Sequence, residues 1–114
     1  MKAIMLLTGG GCLVILTSYP SASDPDLIRK LESKGIDKFV ARDIPLDLAK
    51  RRYGAHFGVV AHDLRESDDL RVLDYNGERA FTLFSFDEIG PPIEYESRAV
   101  RERREHPSPA ESVS

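Results

Sequence analysis

The chain reads as an α+β domain: a mixed β-sheet with two helices packed mainly on one face, in the order ββαβαβββ. Three observations predict it. The first 19 residues form two short, almost wholly apolar runs divided by Gly9, Gly10 and Gly11. Residues 24–35 carry a complete set of helix start and stop signals, and Asn76-Gly77 sits between two runs rich in β-formers. Strands and helices alternate through the middle of the chain and hairpins flank them, which suits one sheet layered with helices.

The first run, residues 3–7, and the second, residues 12–18, are expected to pair as a hairpin around a turn at residues 8–11. Their near-continuous apolar content suits central strands covered on both faces, since a strand with one wet face alternates. The same letters have a second reading. Lys2, the apolar stretch and the small residues of Ser21-Ala22-Ser23 resemble the three parts of a secretory signal, which would be removed after about residue 22. The glycines argue against this, because each costs a helix about 1 kcal/mol relative to alanine. They also argue against a membrane span, which needs about 20 uninterrupted apolar residues. A lipoprotein site at Cys12 lacks the usual leucine three positions earlier, where Gly9 stands.

Asp24-Pro25-Asp26 opens the first helix with an N-cap acceptor, proline at the first helical position and acid in the first turn. Gly35 closes it, and Leu27, Ile28 and Leu31 share its buried face. Residues 38–42 read as a strand. A second helix is expected over residues 46–53, closed by Gly54. Residues 56–62, with Phe57, Val59, Val60 and Ala61, read as a largely buried strand, followed by an exposed polar loop over residues 63–69. Residues 70–75 and 78–86 are expected to pair around an Asn-Gly turn, with Leu70, Val72, Phe81 and Leu83 on the core face. From Gly90-Pro91-Pro92 onward polar residues dominate, so the domain is drawn as residues 1–93 and residues 94–114 as a charged, disordered tail.

Composition narrows the function. A chain of 114 residues is one domain, able to bury roughly two thirds of its unfolded surface. Its single cysteine excludes an internal disulfide framework and a multi-cysteine zinc site, and no metal or cofactor is expected. The formal net charge of −3 argues against a dedicated nucleic-acid binder, which concentrates basic residues to neutralise phosphates.

Several clusters invite a site. His62 and Asp63, with Arg42, combine a titratable ring, a carboxylate and a cation, the parts of a general base or a small ligand pocket. His56 and His62 on one strand would lie about 20 Å apart, too far to share a metal. Lys50, Arg51 and Arg52, with Arg42, form the densest basic run, which suits an anion and equally suits the negative end of a helix. Thr8-Gly9-Gly10-Gly11 offers backbone N–H groups, yet phosphate loops lead from a strand into a helix, and this one leads into a strand. Residues 79–86, RAFTLFSF, resemble over eight positions the base-stacking strand of RNA-recognition-motif domains. Ala80 stands in place of glycine and Leu83 in place of an aromatic, and the element order differs, so Phe81, Phe84 and Phe86 are read as packing residues.

The leading functional reading is a small cytoplasmic, bacterial-type domain without catalysis that binds a protein partner or a second copy of itself. Its contact surface is expected around Leu73, Tyr75 and Phe84, opposite Leu70 and Val72. The alternatives are a small-molecule or anion-binding domain or small enzyme near His62, Asp63 and Arg42, and an exported protein that loses residues 1–22.

Overall fold

A computed structural model describes residues 1–64, 70–75, 80–96 and 102. The architecture is α+β. Five strands form one sheet in the order β4-β2-β1-β3-β5: β1 (Lys2–Thr8), β2 (Gly11–Thr17), β3 (Lys38–Ile44), β4 (Leu70–Asp74) and β5 (Ile93–Glu96). Among the described residues four helices accompany it: α1 (Pro25–Ser33), α2 (Leu46–Tyr53), α3 (Ala55–His62) and the single turn α4 (Ala80–Leu83).

The first hairpin forms as expected, with Thr8 opposite Gly11 and a two-residue loop between them. Gly11 has φ of 142°, a conformation that side-chain-bearing residues avoid. The Thr8 hydroxyl accepts from Gly10 N at 3.2 Å and donates to the Gly11 carbonyl at 3.0 Å, so the glycine turn is closed from within. The α1 signals also act where they stand. Asp24 accepts from Asp26 N at 2.9 Å, and after the last turn Gly35 N donates to Glu32 O and Ile36 N to Leu31 O, both at 2.9 Å. That pair of bonds is the Schellman termination, with Gly35 at φ 86° and Ile36 packed on the same cluster as Leu31.

The sheet is wholly antiparallel among its described strands, not mixed, and the helices divide between its faces instead of sharing one. The reason lies in the two central strands. Ile4 and Leu6 point to one face, where they meet Ile15, Leu27 and Leu31; Ala3 and Met5 point to the other, where they meet Val14, Leu48, Tyr53 and Phe57. Both apolar faces need cover. The connection from β2 to β3 crosses with α1 on the first face, and the return from β3 to β4 crosses with α2 and α3 on the second.

Residues 56–62 are helical, not a strand. Phe57, Val60, Ala61 and Leu64 repeat at helical spacing, and Phe57 is buried with Val60 and Ala61 packed beside it. Gly54 separates α2 from α3 with φ 61° and ψ −133°, a conformation open essentially to glycine alone. The second hairpin is also revised. β4 pairs with β2, and residues 80–83 form a helical turn with Phe84 N bonded to Ala80 O at 3.0 Å. The packing of Ala80 and Phe84 in the core, at i and i+4, overrides the strand propensity of the aromatics. The Asn76-Gly77 turn and residues 65–69 lie outside the described residues. β5 extends the sheet to Glu96, past the boundary drawn at Ile93, and most of the remaining tail lies outside the described residues.

Leu16→Ala, at a fully buried position, is expected to lower urea-unfolding stability by about 3 kcal/mol, whereas exposed Val59→Ala costs less than about 0.5 kcal/mol. Gly54→Ala is expected to cost about 1–3 kcal/mol, although nothing lies within 4 Å of the added Cβ, because the penalty is in the backbone.

Candidate interaction surface

The residues singled out in the sequence are dispersed. His62 is at the end of α3, 89% exposed, with Nδ1 at 3.7 Å from the Asp63 carboxylate. Arg42 lies on β3, where it donates to Gly90 O at 3.2 Å and its guanidinium stacks 4.5 Å from the Phe86 ring centre; its Nε is buried without a hydrogen-bond partner. His56 and His62 are six positions apart on a helix, about 9 Å along the axis and on different sides. Among the described residues, no group of three or more His, Cys, Asp or Glu is placed to hold a metal ion.

The basic run splits in the same way. Lys50 and Arg51 are exposed in the last turn of α2. Arg52 turns inward, bonding Leu83 O and meeting the Glu88 carboxylate at 2.8 and 3.3 Å. Glu88 in turn accepts from Ser85 N at 3.1 Å. Arg52 first, and then the Ser85 amide, hold the Glu88 carboxyl below its ordinary range.

Of the three residues expected on a contact surface, only Tyr75 is exposed, at 69%. Leu73 and Phe84 are core residues. The β4–β2 ladder slips between Val14 and Ile15, so Val14 faces Asp74 while Ile15 faces Val72, and Leu73 stands outside the register. Leu73 alternates away from Leu70 and Val72 onto the face that α2 and α3 cover, and there it joins the same cluster as Phe84, while the slip brings Asp74 to that face as well. His56 Nε2 lies 2.9 Å from the Leu73 carbonyl, which can only accept, so Nε2 carries the proton. Below it, Tyr53 donates to the buried Asp74 carboxylate at 3.1 Å. The buried Cys12 thiol is pushed up in pKa by burial first and by Asp74's charge second, which makes it a packing group and not a nucleophile.

A different surface emerges from the register. Directly paired residues on antiparallel strands share a face. Cys12, Leu7, Val40 and Glu94 therefore form one row across β2, β1, β3 and β5, on the face that carries α2 and α3. Those helices pack over β1 and β4, and the row emerges from beneath them. Cys12 is buried, Leu7 and Val40 are half-buried, and Glu94 is exposed. The open end is a groove of about 380 Å³ with Leu7 and Val40 as its apolar floor and Gly9, Lys38, Glu94 and Glu96 around it. Sequence reasoning missed it because its members come from three strands.

No protein-family model, curated protein or solved structure was found to match the chain. Among the described residues, no helix is long and apolar enough to cross a membrane.

The Glu88 carboxyl titrates below its unfolded value, so its contribution to stability is present above the ordinary carboxylate range and is lost as pH falls through the lowered folded value. An NMR titration of the Glu88 side-chain carboxyl is expected to show a midpoint below that of a free glutamate. Arg52→Gln is expected to raise that midpoint toward the free value. A thiol-reactive dye is expected to modify Cys12 slowly in the native protein and rapidly in urea.

Proposed function

We propose that this domain is a non-catalytic protein-interaction module that binds through the groove on β1, β3 and β5. The observation that carries the reading is the half-covered row: Leu7 and Val40 continue the core face outward into an open, apolar-floored channel. Apolar surface left partly in water gains free energy when a partner covers it, at about 25 cal/mol per Å². The alternative near His62, Asp63 and Arg42 has less support, since Arg42 is engaged by Phe86 and Gly90 while His62 stands in solvent at the end of α3.

The module reading includes a cytoplasmic location, supported by the place of the first hairpin. β1 and β2 are interior strands of the sheet, and cleavage after residue 22 would remove both. Intact-mass analysis of the protein from its native host is expected to find residues 1–22 present.

The interaction is tested by affinity capture with the full-length protein, using Val40→Arg against Val59→Arg, a control at an exposed apolar site on α3. Both variants are expected to keep native circular dichroism. A partner held by the wild type is expected to be lost with Val40→Arg and retained with Val59→Arg. Equal retention by both variants would remove the groove from the function.

A further inference from the structure

Resting on that reading, we infer that the groove takes an extended peptide segment of a basic partner protein, in which Lys or Arg alternates with apolar residues. The inference comes from how charge is distributed across the strand pairs. Glu96 stands directly opposite Lys38, so the two charges offset each other across β3 and β5. Glu94 stands opposite Val40, and that row continues into Leu7 and Cys12 without a cation. Glu94 is thus an exposed carboxylate, uncompensated within its row, beside an apolar floor.

A ligand that covers Leu7 and Val40 must bring an apolar group to the floor and a cation to Glu94. Facing residues on neighbouring strands are about 5 Å apart, and side chains at i and i+2 of an extended segment are about 7 Å apart on one side. A strand-like peptide with a basic residue two positions from an apolar one matches both demands, with side-chain pockets giving the selectivity. A second copy docking by twofold symmetry on this same rim would set Glu94 and Glu96 against their own counterparts, a like-charge arrangement that opposes it.

The test uses the isotope-labelled full-length protein and two synthetic peptides of equal length, one alternating Lys and Val and the other Glu and Val. The Lys/Val peptide is expected to produce saturable amide shifts at Leu7, Val40 and Glu94 that weaken as salt rises. Glu94→Lys, a change at an exposed position, is expected to weaken that peptide by roughly three- to tenfold and to improve binding of the Glu/Val peptide. Equal binding of both peptides would overturn the charge preference and leave the groove reading standing. Absence of groove shifts with either peptide would overturn the ligand class; the groove reading itself falls only if Val40→Arg also leaves partner capture unchanged. Groove shifts that grow with protein concentration alone would assign the surface to a second copy. Peptide binding that appears only in a chain carrying Arg101→Glu and Arg103→Glu would assign it to the protein's own C-terminal segment, and either result overturns the proposal.

Discussion

The structure depends on one constraint, that β1 and β2 are apolar on both faces. A strand with a single buried face can rest on one layer of helices, but Ile4 and Leu6 on one side and Ala3 and Met5 on the other must both leave water. The chain meets this by crossing the sheet twice, once on each face. Placing the hairpin at the interior of the sheet then follows, because only interior strands have neighbours along both edges. β3 and β4 take the two flanks, and β5 is added outside β3, where burial is lightest.

Local signals were legible because their physics is local. Asp24, Pro25 and Gly35 act through bonds within a few residues, and the α1 boundaries stand where those residues put them. The triple-glycine turn and the α2 stop at Gly54 are of the same kind. Residues 56–62 were misread because Val59 and Val60 carry strand propensity and the segment is apolar on average. The helical repeat of Phe57, Val60, Ala61 and Leu64 was present but extends past the segment's polar end. Propensity lost to packing there, as it did at Ala80 and Phe84. The contact surface was illegible for a different reason. Leu7, Val40 and Glu94 become neighbours only through the β1–β3 and β3–β5 registers, and no spacing within one segment encodes those.

Leu73 and Phe84 are not surface residues because the face expected to be open is covered: they pack with Leu48, Tyr53 and Phe57 of α2 and α3. A slip of one residue inverts which face a side chain occupies. The irregularity opposite Val14 and Ile15 does this at Asp74, bringing its carboxylate to the face of Val14 and Tyr53, where Leu73 already lies by alternation from Leu70 and Val72. His56, which looked like half of a histidine pair, is the residue that bonds the Leu73 carbonyl beside that slip.

Arg42 and Arg52 likewise have structural roles that bear on the groove. Both hold the segment of residues 83–90: Arg52 through Leu83 and Glu88, Arg42 through Phe86 and Gly90, whose own N–H bonds Asp43 O at 2.7 Å. Gly90 has little room beside Asp43, where an added Cβ would meet the backbone at 3.3 Å. This close fit brings the chain back to β3 just before Pro91 and Pro92, so that β5 begins alongside it. With β5 in place, Glu94 stands across from Val40 and forms the acidic wall of the groove. The cations that resembled an anion-binding patch thus act one step away from the contact surface, by fixing the strand that supplies its opposite charge.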